Sequence, residues 1–181
     1  MLKVATVTGY KPFELGIYKN NDPAVEYIKK ALCKALSQLA EEGMEWVIIS
    51  GQLGVELWAA EVVIDLIPVY PELKLGVITP FLNQEENWKE ENKELYESVL
   101  MQADYVDSLS KQPYTDPWQF RNKNKFFVQK SDCALILYDV EKEGSPKFFF
   151  EISKQYQQSH PYEIRTIDFY DLQSVVEDEN Y

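Results

Sequence analysis

Residues 46–58 read WVIISGQLGVELW, and this stretch decides the fold of the chain. The apolar run Trp46–Ile49 predicts a strand, the glycines at positions 51 and 54 predict a tight turn, and apolar residues recur at helical spacing from Val55. A strand, a glycine turn and a helix N-terminus favour a ligand site, because unpaired N–H groups there can bind a phosphate or a carboxylate. The alternative is an ordinary strand-to-helix turn without a ligand.

The same alternation of strands and helices extends over the whole chain. Strands are predicted at residues 2–8, 46–50, 74–79, 105–109, 133–138 and 164–167. Asp-Pro or Ser-Pro pairs open the helices at 22–23, 116–117 and 145–146. Strands that are apolar on both faces are typical of a parallel sheet covered on both sides. We therefore predict an α/β fold, a single doubly wound Rossmann-like domain over residues 1–181, with a mainly parallel sheet and a frayed acidic tail at 177–181.

Composition restricts the partners and the location. A formal net charge of -12 disfavours DNA as a partner, because the acidic chain would repel the phosphate backbone. No apolar run approaches the roughly 20 residues that would span a bilayer. The N-terminus reads as a strand and not as a signal peptide. We expect no membrane insertion and a cytoplasmic location.

Metal, thiol and histidine chemistry have little support. Cys33 lies in a helical pattern and Cys133 in a strand-like one, and neither has a nearby thiol or histidine, so no metal site is expected. The single histidine, His160, lies in a polar loop and is expected at the surface. The dinucleotide motif Gly-x-Gly-x-x-Gly and the P-loop are both absent, which removes the usual support for hydride transfer and ATP hydrolysis.

A candidate site is predicted where the strands end. In doubly wound sheets, ligands bind outside the carboxyl ends of the strands, near the switch in strand order. The unusual residues of this chain cluster after four predicted strands. The predicted ligand-binding residues are Gly9, Tyr10, Lys11, Ser50, Gly51, Gln52, Gly54, Glu56, Thr79, Phe81, Gly144 and Ser145.

These residue types suggest separate roles. Gly51 and Gly54 lack a Cβ and would admit a phosphate or a ribose. Tyr10 and Phe81 would stack on a base, and the candidates for phosphate contacts are Lys11, Lys111, Arg121 and Lys125. Glu56 in the first helical turn has two interpretations. It complements the helix dipole, worth about 0.3 to 1 kcal/mol, or it accepts hydrogen bonds from ribose hydroxyls or acts as a general acid or base.

Six segments together resemble the YpsA family. They are TGYKPFELGI (8–17), SGQLGVELWAAE (50–61), TPFLNQEENW (79–88), QADYV (102–106), WQFRNKNKFFVQKSD (118–132) and LYDVEKEGSPKFF (137–149). The resemblance covers essentially the whole chain. It implies membership of the SLOG superfamily of Rossmann-like domains, which also holds DNA-processing DprA proteins and LOG-type phosphoribohydrolases. It further implies a pocket for a nucleotide-derived ligand at Gly9 and at Gly51 to Glu56.

The chain also departs from the relatives with known activity. LOG-type enzymes carry a double-glycine loop, whereas the late turn here reads EGSPKFFFE, so Glu151 is not assigned as a catalyst. DprA proteins bind single-stranded DNA through a basic surface, whereas this chain is acidic. YpsA members of Gram-positive bacteria are connected with cell division, which implies a cell-division protein as a partner.

The sequence favours a binding or sensing domain for an ADP-ribose-like or NAD-like compound, with no other cofactor assigned. One alternative is a glycosidase that acts on a nucleoside monophosphate or an NAD-type substrate, with Glu56 as its acid or base. Another is a protein-interaction module with a vestigial pocket. A homodimer is compatible with all three, since such domains commonly dimerise.

Overall fold

The computed structural model describes residues 2–179, and six strands in that range form one sheet. They are β1 (Val4–Gly9), β2 (Trp46–Ile49), β3 (Lys74–Thr79), β4 (Tyr105–Ser108), β5 (Cys133–Leu137) and β6 (Glu163–Ile167). The strand order is β4-β3-β2-β1-β5-β6, and every neighbouring pair is parallel. This arrangement confirms the predicted doubly wound, Rossmann-like α/β fold.

Within residues 2–179, six α-helices cover the sheet. They are α1 (Pro23–Glu41), α2 (Val55–Leu66), α3 (Glu90–Gln102), α4 (Trp118–Gln129), α5 (Pro146–Gln157) and α6 (Phe169–Glu179). Helix α1 packs on α2 and α6, and α2 packs on α3, whereas α4 packs on α5. With the right-handed crossovers that parallel strands require, this places α4 and α5 on one face of the sheet and the other helices on the opposite face. No helix among residues 2–179 is long and apolar enough to cross a membrane.

Local sequence signals explain where the helices begin. The carboxylate of Asp22 accepts a hydrogen bond from the N–H of Ala24 at 2.9 Å, and Pro23 occupies the first turn of α1. A 3-10 helix, Pro12–Leu15, fills the segment between β1 and α1 that the sequence predicts as a loop. Helix α6 was not predicted; it includes residues 177–179, which were expected to fray. Residues 180 and 181 of the predicted tail lie outside the described residues.

The strand order fixes the position of the site. From β1, the chain adds β2, β3 and β4 on one side, and β5 and β6 then follow on the other side of β1. The order therefore switches between β1 and β5, whose carboxyl ends meet where Gly9 pairs with Leu137. In such sheets a crevice opens at this point, because the connections leave the two strands toward opposite faces.

Candidate ligand-binding cleft

A cleft of about 480 Å³ opens at the carboxyl ends of β1, β2 and β3, beneath the N-terminal turns of α4 and α5. We call it the main cleft. The residues that line it are Thr8, Gly9, Lys11, Ser50, Gln52, Glu56, Pro80, Gln84, Pro117, Phe120, Arg121, Lys123, Asn124, Ser145, Phe148 and Phe149. Six of the twelve residues predicted from the sequence are among them: Gly9, Lys11, Ser50, Gln52, Glu56 and Ser145.

Three of the predicted glycines, Gly51, Gly54 and Gly144, have protein atoms close to the place that a Cβ would take. A Cβ added at Gly54 would lie 2.4 Å from the carbonyl oxygen of Tyr10, and one at Gly144 would lie 2.6 Å from Oε2 of Glu14. A Cβ at Gly51 would lie 3.0 Å from Nε2 of Gln84. The lack of a Cβ at Gly51 and Gly54 therefore does not by itself open a space for a phosphate or a ribose, because atoms of neighbouring segments occupy the places that a Cβ would take.

Two further predicted residues are turned into the protein. The side chain of Tyr10 is fully buried, and its hydroxyl donates to the carbonyl oxygen of Lys142 at 2.6 Å. The same hydroxyl accepts from the N–H of Asp139 at 2.9 Å. Tyr10 therefore fixes the segment after β5 and is not available to stack on a base. Thr79 is also buried and does not line the main cleft.

Glu56 ties the ends of two strands together. Its Oε1 accepts hydrogen bonds from the N–H and Oγ of Ser50, both at 2.8 Å, and its Oε2 accepts one from Oγ1 of Thr8 at 2.9 Å. The residue is only 4% exposed. Both carboxylate oxygens thus already accept hydrogen bonds from β1 or from the residue that follows β2. These hydrogen bonds compensate for the burial of the carboxylate at the floor of the cleft.

Two cleft residues of α4 lack the partners that their polar groups require. Burial lowers the pKa of the Lys123 ammonium below its ordinary 10.5; the charge of Glu56 opposes this effect and that of Lys11 adds to it. Although part of its side chain reaches solvent, Lys123 makes no ion pair within 4 Å in the part of the chain that the structure describes. Oδ1 of Asn124 is buried and has no hydrogen-bond partner among the described residues.

The helical pattern of residues 118–128 predicts Trp118 and Phe120 on the inward face and Lys123 at the surface. In the structure Lys123 faces the cleft, whereas Trp118 is 42% and Phe120 is 36% exposed. The first turn of α4 borders the cleft and leaves these rings accessible. Helical spacing could have predicted the inward position of Lys123, because Lys123 and the buried Phe127 are four residues apart and share a helix face.

The cleft is a local basic site in an acidic chain. Its lining contains Lys11, Arg121 and Lys123, whereas its only acidic residue is Glu56. Two other predicted phosphate contacts lie elsewhere. Lys111 pairs with Asp107, and Lys125 does not line the cleft. A polyatomic anion in the cleft would therefore find cations on the residues after β1 and on α4.

Glu14, which sequence reasoning did not identify, holds the 3-10 helix against the start of α5. Its carboxylate accepts hydrogen bonds from the N–H and Oγ of Ser145, at 2.7 and 2.6 Å, and from the N–H of Lys11 at 2.8 Å. Burial alone would raise the pKa of Glu14, but these hydrogen bonds hold it below the ordinary 4.5. The donors of Ser145, which the sequence offered to a ligand, bind this carboxylate instead.

Replacement of Glu14 by Gln should lower the free energy of unfolding at neutral pH by about 1 to 3 kcal/mol, since an amide leaves one donor without an acceptor. The pKa of Glu14 is lowered by folding, so its carboxylate stabilises the protein above about pH 4.5, and this contribution fades as the pH falls through the folded-state pKa. Urea unfolding of both proteins between pH 3 and 7 would measure the difference. A difference that stays constant across that range would contradict this role for Glu14.

Thiol and histidine groups lie apart from the cleft. Burial raises the pKa of the Cys133 thiol to about 12, so it remains protonated at neutral pH. The ring of His160 stacks on Tyr156 with centroids 4.0 Å apart, and its Nδ1 lies 2.9 Å from Oγ of Ser159. Among residues 2–179, no group of three or more His, Cys, Asp or Glu side chains is arranged to hold a metal ion.

Comparisons with known proteins agree with the fold. A family model described as the YspA SLOG family (YpsA) matches residues 5–172. The UPF0398 protein of Bacillus cereus strain B4264 is 58% identical over 180 residues, which cover 99% of this chain and 98% of that protein. A UPF0398 protein of Bacillus thuringiensis strain Al Hakam is 57% identical with the same coverage. Among solved structures, DNA processing protein A from Helicobacter pylori matches with a TM-score of 0.55 at 14% identity, covering 99% of this chain and 81% of that one.

The last similarity corrects one expectation. DNA was disfavoured as a partner on the net charge of -12, yet the similar structure belongs to a protein described as binding single-stranded DNA. The exclusion was wrong because net charge describes the far field of a protein, whereas binding depends on the charges that line the site. Here three cations line the main cleft of an acidic chain.

Proposed function

The chain belongs to the YspA SLOG family, and we propose that its main cleft binds a nucleotide-derived small molecule, such as an ADP-ribose-like or NAD-like compound. The observation that carries this proposal is the pair of unpartnered polar groups on α4. Asn124 has a buried acceptor without a donor, and Lys123 has a desolvated cation without an ion pair. An unpaired buried acceptor costs about 1 to 3 kcal/mol, which a ligand that supplies a donor would recover.

The chemistry of the lining matches a phosphorylated nucleoside. A phosphate would accept hydrogen bonds from Lys11, Arg121 and Lys123. A ribose hydroxyl or an exocyclic amine would donate to Oδ1 of Asn124. Phe148 at the edge is 68% exposed and offers a ring face for a base. The volume of about 480 Å³ lies within the range of roughly 300 to 1,000 Å³ for small-molecule sites.

Occupancy of the cleft would then be communicated to a protein partner, which we propose to be a cell-division protein because the resemblance to the YpsA family implies a connection with cell division. Lys11 belongs to the segment after β1, and Ser145 directly precedes α5. Both residues line the cleft, and Glu14 joins them through hydrogen bonds. A ligand that contacts either residue would therefore affect the segment after β1 and the start of α5 together, because the hydrogen bonds of Glu14 join these two elements.

A second candidate is the binding of single-stranded nucleic acid, as described for DNA processing protein A. The observation in its favour is the set of exposed rings beside the cations of the cleft. Phe13, Phe120 and Phe148 are 63%, 36% and 68% exposed. Bases of any sequence stack on such rings, while lysine and arginine contact the backbone between them.

Calorimetric titration with AMP, ADP-ribose, NAD and an eight-residue oligothymidylate would test both candidates. Arg121→Gln should weaken the best ligand about tenfold, the scale of one charge-assisted hydrogen bond. Lys125→Gln is the matched control, because it removes the same charge from the same helix at a residue outside the cleft. Its affinity should equal that of the wild type.

The titration has three distinct outcomes. Saturable binding that depends on Arg121 and not on Lys125 would support the cleft as the site. If none of the four compounds binds, or if both variants lose affinity equally, the proposal fails. Release of a free base from NAD or AMP during the titration would identify the protein as a glycosidase.

A further inference from the structure

A second cavity of about 310 Å³ adjoins the main cleft and shares Lys11, Gln52, Gln84 and Phe120 with it. We call it the second lobe. Phe13 and Trp88 line it without lining the main cleft. The two spaces therefore border each other, with Lys11 and the two glutamines at their junction.

Aromatic rings line the second lobe, and one of these rings, that of Phe13, packs against no other ring in the described chain. The ring of Phe120 packs edge-on against Phe81, with centroids 5.4 Å apart, and Trp88 packs edge-on against Tyr96 at 5.3 Å. These contacts hold the inner rings in place. Phe13 is 63% exposed and contacts no other ring in the described chain. Its face is free to cover a flat group that enters the lobe.

The junction between the two spaces offers hydrogen-bond donors. Oε1 of Gln52 accepts from the N–H of Leu53 at 2.9 Å, which fixes the orientation of the amide. Among residues 2–179, neither Nε2 of Gln52 nor Nζ of Lys11 makes a hydrogen bond with the protein, and Lys11 has no ion pair within 4 Å. An anionic linker at the junction would meet a cation and an amide donor at once.

We infer that the second lobe binds a second aromatic ring of the ligand, so that the site takes two rings joined through phosphate, with Phe13 as the residue that selects for the second ring. This inference rests on the proposed function of the main cleft. It narrows the ligand from nucleotide-derived compounds in general to the dinucleotide class. Two sources share this chemistry: a free dinucleotide joined through its phosphates, and two consecutive nucleotides of a single strand.

Diadenosine diphosphate and ADP-ribose test the inference, because they share the adenosine, the two phosphates and the second ribose and differ in one base. The wild type should bind diadenosine diphosphate at least about tenfold more tightly, the scale of stacking one base on aromatic side chains. Phe13→Ala should remove this preference without changing the affinity for ADP-ribose, and Phe13→Tyr should retain it. Tyr18→Ala is the matched control, since Tyr18 is 71% exposed and lines neither space.

The failures of the two proposals are distinguishable. Equal wild-type affinities for the two compounds, or an equal loss of both in Phe13→Ala, would overturn the second lobe as a ring site while the main cleft stands. Absence of binding by both compounds would overturn the main cleft and this inference with it. A two-base fragment with one 3′–5′ linkage, tested beside diadenosine diphosphate, identifies the source. Tighter binding of the fragment would indicate a single strand, and tighter binding of diadenosine diphosphate would indicate a free dinucleotide.

Discussion

Gly54→Ala is expected to reduce the free energy of unfolding by about 3 to 5 kcal/mol, the sum of backbone strain and a steric clash. Gly54 has φ of 96°, which residues with a Cβ rarely adopt. The added Cβ would also lie 2.4 Å from the carbonyl oxygen of Tyr10. That oxygen is not free to move, because it accepts the N–H of Val55 at 3.1 Å and the ring of Tyr10 is buried.

Gly16→Ala separates the two causes. Gly16 also has a positive φ, 69°, but apart from its chain neighbours no atom of residues 2–179 lies within 4 Å of the position that a Cβ would take there, so a loss of only about 1 to 2 kcal/mol is expected. Urea unfolding at one pH would compare both variants with the wild type. If the free energy of unfolding falls by the same amount in Gly54→Ala and Gly16→Ala, the close approach to the carbonyl oxygen of Tyr10 has no energetic effect. The explanation by a steric clash would then be wrong.

Lys123→Met should have two opposite effects. Affinity for an anionic ligand should fall about 10- to 100-fold, because a hydrogen bond to a charged group contributes about 1.5 to 3 kcal/mol. The free energy of unfolding without ligand should rise at neutral pH, since the variant no longer buries an ammonium that lacks an ion pair. Titration calorimetry and urea unfolding of the same samples would measure both. Lower stability together with unchanged affinity would remove Lys123 from the proposed site.

The pH dependence gives a second readout of Lys123. Folding lowers its pKa below 10.5, so the unfolded chain binds more protons between the folded-state pKa and 10.5, and wild-type stability relative to the variant should rise with pH in that window. Both proteins contain the same tyrosines, which also titrate at high pH. The difference between their free energies of unfolding therefore does not include the tyrosine contribution. Ligand affinity of the wild type should fall over the same range, as the ammonium loses its proton. A flat difference would show that Lys123 is not desolvated.

Local patterns were sufficient for most of the fold. The buried run of β5, the Asp22 cap of α1 and the strand β3 are each specified by adjacent residues, and the predicted strand at 74–79 has the observed bounds. Helix α6 was missed although Phe169, Leu172 and Val175 recur at helical spacing, because its acidic end was interpreted as part of a frayed tail. Its packing on α1 is a tertiary contact that a local pattern does not contain.

The cleft was predicted in position but not in detail. The sheet topology determines which carboxyl ends of the strands lie next to each other. The rule that ligands bind at these ends therefore indicated the place where a cleft lies. The surroundings of Gly51 and Gly54 could not be predicted, because a positive φ has the same sequence signal whether a ligand or protein atoms occupy the space beside the glycine. Lys123 and Asn124 were missed since their burial arises only when α4 docks beside β1, more than a hundred residues earlier in the chain.

The hydrogen bonds between Glu14 and Ser145 join residues 131 positions apart. A change at either residue leaves the other with an unmatched donor or acceptor, so substitutions at the two positions are tolerated best when they occur together. An insertion between Lys11 and Gly16 would move the carboxylate out of reach of Ser145. In evolutionary terms, we expect the short segment after β1 to be restricted in length and to change together with the α5 N-terminus.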